Sequence, residues 1–178
     1  MPPLTPHSSA TAGLGRPLRR VPPAAPHEVI TVLVADDHAL FRRGVAAAIR
    51  RHPALELVAE AADGREALAL IAALRPDVAV LDHRMPGLSG VEVCAQSQLG
   101  PGSSPTAVLL LSAFEDPEIV CAAIGAGASG YVSKMASQAE IFAAIEEVGR
   151  GGLAFAVPTP TDPGRPLPPG LRPRRRPA

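Results

Sequence analysis

Lysine is nearly missing from this chain: Lys134 stands alone against sixteen arginines. Long apolar runs are missing too. No stretch approaches the ~18 consecutive apolar residues that a membrane-spanning helix needs. The N-terminus has arginine and proline but no apolar core segment, so it does not read as a secretory signal. Cysteine is sparse, with only Cys94 and Cys121, at no metal-ligand spacing and too few for a disulfide framework. Both are expected to be buried free thiols in a reducing compartment. These absences together predict a cytoplasmic chain without a membrane partner.

Proline is plentiful, but not in the middle. Residues 1–28 hold seven prolines and residues 156–178 hold eight, leaving six of the 21 between them. Both ends also lack an apolar period, so they bury too little surface to offset chain entropy. They are expected to be a disordered N-terminal extension and a disordered Pro/Arg-rich tail. The folding unit is then 29–155, enough for one core. The zero net charge of the whole chain hides a contrast. Residues 29–155 carry nine Lys/Arg and fifteen Asp/Glu, a net of −6, while the ends carry +2 and +4. An acidic domain of this kind does not read as a nucleic-acid surface.

Within the central unit, strand and helix patterns alternate. Ile30–Ala35 is a short apolar run that ends in two aspartates and reads as a buried parallel strand. Leu40, Phe41, Val45, Ala48 and Ile49 recur at helical spacing until Pro53 closes the element. Strand two is Leu55–Ala61, and helix two runs from Glu66 to Leu74, stopped before Pro76. Strand three, Val78–Leu81, leads to Asp82, and helix three spans Ser89–Gln98. Strand four, Ala107–Leu111, leads to Ser112, and helix four spans Asp116–Ala126. Strand five, Tyr131–Ser133, leads to Lys134. Helix five shows Ile141, Ala144, Ile145 and Val148 on one face. This order predicts a doubly wound α/β fold: a five-stranded parallel sheet, order 2-1-3-4-5, with five helices.

Ligands of such folds bind beyond the carboxyl ends of the strands. Strand one ends at Asp36 and Asp37, strand three at Asp82, strand four at Ser112 and strand five at Lys134. Three carboxylates at one rim repel each other unless a cation sits among them. A hard divalent ion such as Mg²⁺, which takes one or two carboxylates and keeps waters, meets that need. The lone lysine points to a task that arginine does not perform, since an ammonium is a compact point charge. The set predicts phosphoryl transfer to a carboxylate. Asp82 attacks, Mg²⁺ neutralises phosphoryl oxygens, and Ser112 and Lys134 bind the others.

The stretches VLVADDHALFRRG (32–44), AADGREAL (61–68), PDVAVLDHRMPGLSGVEV (76–93), LLLSAFED (109–116) and AIGAGASGYVSK (123–134) closely resemble response-regulator receiver domains, the CheY-like or flavodoxin-like fold. The wording ADDHALFRRG, and Met135 where many members have proline, is similar to the LuxR-type branch. The resemblance implies that a sensor histidine kinase phosphorylates Asp82. It implies Mg²⁺ held by Asp36, Asp37, Asp82 and the backbone carbonyl of Arg84. It implies Ser112 and Tyr131 as switch residues, with Tyr131 turning inward on activation. The face of helix four, strand five and helix five would change with phosphorylation. That face, or helices one and five, would serve a homodimer.

The LuxR-type branch normally continues into a DNA-binding helix-turn-helix. No pair of amphipathic helices can be drawn in residues 156–178, so no DNA contact is expected of this chain as it stands. Two readings remain. The chain is either a truncated or frameshifted LuxR-type transcriptional regulator or a stand-alone receiver acting through protein contacts. An aspartyl-phosphate phosphatase would need a second aspartate two residues after the nucleophile, where this chain has Arg84. A signalling domain, not an enzyme, is therefore expected.

Overall fold

A computed structural model describes residues 29–99, 106–113 and 117–155. The two Pro-rich ends, 1–28 and 156–178, for which disorder is expected, lie outside the described residues. The elements alternate along the chain as β1 (Ile30–Ala35), α1 (Ala39–Ile49), β2 (Leu55–Ala61), α2 (Gly64–Leu74), β3 (Val78–Asp82) and α3 (Gly90–Ser97). They continue as β4 (Ala107–Ser112), α4 (Pro117–Gly125), β5 (Gly130–Ser133), α5 (Gln138–Gly149) and β6 (Ala154–Phe155).

All strand pairs are parallel, in the order β2-β1-β3-β4-β5-β6. The expected five-strand order is present, and the correction is a sixth strand at its end. Ala154–Phe155 pairs with Gly130–Tyr131, and the Ala154 amide donates to the Ser129 carbonyl at 3.0 Å. A two-residue strand has no room for an alternating pattern, so its sequence gives no warning.

Strand alternation divides the core into two layers. Val32, Val34, Val78, Val80, Leu109, Leu111 and Val132 face α1 and α5. Leu33, Ala35, Ala79, Leu81, Val108, Leu110 and Tyr131 face α2, α3 and α4. Both faces are covered, which explains why β1, β3 and β4 are apolar rather than alternating, apart from Thr31 and the terminal Asp82 and Ser112.

Side-chain caps fix several helix starts. Ser89 and Glu92 form a capping box at α3, and Ser137 and Glu140 form another at α5. Asp63 caps α2 by accepting from the Glu66 amide at 2.9 Å. Gly90 at the start of α3 lies hard against β3, and a β-carbon there would overlap the Asp82 carbonyl. Glycine thus lets α3 begin directly against the end of the central strand. One expectation about the thiols needs correcting. Cys94 is buried, but Cys121 is exposed. On α4 the inward residues are Val120 and Ala123, and Cys121 falls about 100° round the helix from Val120.

Candidate functional site

The strands end together at one rim, and the backbone ladder sets the spacing there. The Asp36 amide donates to the Ala61 carbonyl at 3.2 Å, His83 to Leu111 at 2.8 Å and Lys134 to Ser112 at 2.7 Å. Each bond carries the ladder one step past a strand end. The first side chains beyond the apolar core are therefore held as firmly as the core itself.

Asp36, Asp82 and Ser112 are all buried, at 1%, 5% and 1% exposure. Lys134 Nζ lies 2.6 Å from Asp36 Oδ2 and 2.9 Å from Asp82 Oδ2, bridging the two carboxylates. The 2.6 Å contact is an ion pair, and no further partner of that buried Asp36 oxygen is seen among the described residues. The ammonium also stands 4.8 Å from the centroid of the Phe41 ring on α1, a cation–π contact that steadies it from behind. The other oxygen of Asp82, Oδ1, accepts from the Arg84 amide at 3.3 Å.

Burial pushes the Asp82 carboxyl above its ordinary range, and the neighbouring Asp36 charge adds to the effect. The Lys134 hydrogen bond and charge and the Arg84 amide pull it back, without cancelling the shift. Asp82 is thus a poorly solvated carboxylate whose charge depends on nearby cations. Cys94 takes no part in the site. Its thiol donates to the Ala126 carbonyl at 3.4 Å, and burial pushes it up to about 11.

Asp37 is the more exposed member of the acidic pair. The residue after it is His38, which the pattern of strand ends does not single out. Its Nδ1 lies 2.9 Å from Asp37 Oδ1, 3.4 Å from Asp36 Oδ1 and 4.0 Å from Asp82 Oδ2. One ligand atom each from Asp36, Asp37, His38 and Asp82 falls within 4.8 Å of all the others. Such a set of three carboxylates and an imidazole fits a divalent metal ion. The signal that could have flagged His38 is its place directly after the acidic pair, where the chain turns into α1.

Ser112 and Tyr131 belong to the other layer. By strand alternation Ser112 shares the face of Leu110, and Tyr131 packs in that same layer, at 1% exposure. Leu110 pairs with Tyr131 and Ser112 with Ser133. Tyr131 already stands inward in this structure. Ser112 therefore adjoins both the acidic rim and the layer that holds the tyrosine.

A buried aspartate at the end of the central parallel strand, bridged to a lysine and flanked by an acidic pair, defines a receiver domain. The family model for the response regulator receiver domain matches residues 32–146, and the chain belongs to that family. Its similarity to the transcriptional regulatory protein NarL of Mycobacterium tuberculosis is 44% identity over 124 residues, covering 70% of this chain and 56% of that protein. UhpA of Escherichia coli is 39% identical over 124 residues, covering 70% of this chain and 61% of that protein. The structure of the NarL signal receiver domain from M. tuberculosis superposes with a TM-score of 0.67, covering 70% of this chain and 98% of that one. A LuxR-family response regulator from Aurantimonas gives 0.67 at 34% identity, covering 74% and 91%. The chain thus spans little more than half the length of the NarL and UhpA regulators it matches. No described helix is long and apolar enough to cross a membrane.

Proposed function

We propose that this receiver accepts a phosphoryl group on Asp82 from the phosphohistidine of a sensor kinase, and that Mg²⁺ is the ion that serves the reaction. The observation that carries this reading is the Asp82 carboxylate, buried yet open to cationic groups, with Lys134 2.9 Å away. In the transfer, an Asp82 oxygen forms the new O–P bond as the N–P bond to the kinase histidine breaks. The departing imidazole takes up a proton and leaves neutral.

The side chains of Asp36, Asp37 and Asp82, with the carbonyl of Arg84, would hold the ion. When bound, it supplies charge neutralisation for the phosphoryl oxygens. Lys134 moves from carboxylate to phosphoryl oxygen, which keeps an ammonium beside whichever group carries the charge. The Ser112 hydroxyl binds a further oxygen. Because Ser112 sits on the Tyr131 layer, its displacement alters packing around β5, and the α4, β5 and α5 face becomes the output or homodimer surface. Membership of a longer LuxR-type transcriptional regulator is the reading of the whole protein that its relatives favour. Incubation with a small acyl phosphate and Mg²⁺ should add one acid-stable, base-labile phosphoryl group per chain, seen by intact-protein mass. Asp82→Asn should abolish it. Full incorporation into Asp82→Asn would remove Asp82 from the role.

A further inference from the structure

His38 sits where a helix would ordinarily begin with a capping side chain. It is the N-cap of α1 yet makes no side-chain cap bond. Serine, threonine, aspartate or asparagine there would stabilise the helix by about 1 kcal/mol. The imidazole instead turns back over the carboxylates. The His38 amide donates to Asp36 Oδ1 at 2.8 Å, closing a tight turn that sets the ring above the acidic pair. The side chain is 73% exposed, so no packing demand forces it there. Asp36 Oδ1 lies 3.4 Å from the ring nitrogen and Asp37 Oδ1 2.9 Å from it, while Asp36 Oδ2 is paired with the Lys134 ammonium at 2.6 Å.

Resting on the metal site of the previous section, we propose that His38 Nδ1 is a direct ligand of the bound ion. The site then prefers a first-row transition dication such as Mn²⁺ or Co²⁺ over Mg²⁺. The chemistry follows from donor type. Mg²⁺ favours oxygen donors and retains its waters, whereas imidazole suits the transition ions. Three carboxylates alone leave the choice to the general affinity order of the metals. An added imidazole nitrogen raises affinity for ions that accept nitrogen and gives little to Mg²⁺. The carboxylates supply the charge that any dication needs, and His38 supplies the discrimination.

The test uses the full chain and the metals alone. Calorimetric titrations with Mg²⁺ and with Co²⁺ give an affinity ratio for wild type, His38→Ala and His38→Asn. Removing groups that support a metal costs about 10–100-fold in affinity, so the Co²⁺/Mg²⁺ preference should fall at least tenfold in both variants. His38→Asn restores a capping side chain and an oxygen donor, so its Mg²⁺ binding should equal or exceed that of wild type. Pulsed electron paramagnetic resonance of the Mn²⁺ complex should show imidazole-nitrogen coupling in wild type and lose it in His38→Ala. The chain has five histidines, and that variant assigns the signal. An unchanged metal ratio, or a wild-type Mn²⁺ spectrum without nitrogen coupling, overturns the assignment of His38 while leaving the carboxylate site standing. Failure of every metal to bind wild type would overturn both.

Discussion

Asp82 shows how one residue can be costly to the fold and useful to the reaction. Desolvation raises its carboxyl above the ordinary carboxylate range despite the Lys134 contact. Between the unfolded and folded values, the folded chain binds more protons than the unfolded chain. Stability therefore falls as pH rises through that window, and the loss persists at neutral pH. Asp82→Asn removes the titrating charge and leaves Lys134 paired with Asp36 at 2.6 Å. In chelator at pH 7 the variant should melt above wild type. That advantage should shrink as pH falls below the ordinary carboxyl range, where both side chains are neutral. Melting curves from pH 3 to pH 8 check the sign, and an Asp82→Asn variant less stable than wild type at pH 7 would contradict it.

At the scale of elements, the site depends on helices that start in fixed places. Both capping boxes have their serine directly at the junction of loop and helix, three residues before a glutamate. Ser137 follows Lys134 by only three positions, so the α5 cap also anchors the loop that carries the lysine. Its hydroxyl accepts from the Glu140 amide at 3.3 Å, and Glu140 Oε2 accepts from the Ser137 amide at 2.7 Å. Ser137→Ala should destabilise the domain by about 1 kcal/mol, measured by urea denaturation. Ser137→Asp, which can still cap, should recover most of that loss. An equal loss in both would mean that the hydroxyl serves something other than the cap.

For the molecule as a whole, the sheet is both partition and connection. Asp36, Asp82 and Lys134 meet on the rim nearer α1, with Phe41 of α1 touching the lysine. Ser112 and Tyr131 belong to the layer that faces α4, and Tyr131 pairs with Phe155 of β6. On the proposal that Ser112 and Tyr131 are the switch residues, a charge placed on Asp82 reaches that layer through Ser112, at the joint of the two layers. Tyr131 is the only tyrosine in the chain, so its emission reports one place. Beryllium fluoride with Mg²⁺ should change that emission, and Ser112→Ala should diminish the change while Asp82 still accepts phosphate. An unchanged spectrum at a saturating dose of the mimic would mean that the switch runs elsewhere.

The strand–helix alternation, the sheet order and the residues at the strand ends were all legible in the sequence. Apolar runs that stop at charged groups carry that information locally. Ile30–Ala35 ends at the acidic pair and Val78–Leu81 at Asp82, and a parallel sheet leaves few ways to arrange five such units. Three features needed the tertiary structure. β6 is two residues long and exists because Gly130 lets the Ala154 carbonyl approach closely. Cys121 is exposed because α4 turns it away from a core that Val120 and Ala123 reach. His38 reads as an ordinary polar residue until the turn before α1 folds its ring over three carboxylates, two of them from the pair just before it in sequence and the third 44 positions away. Local pattern determines which elements form and where they end. Which side chains then share a few ångströms of space is decided by packing, because that distance is set by the whole sheet and not by any one segment of it.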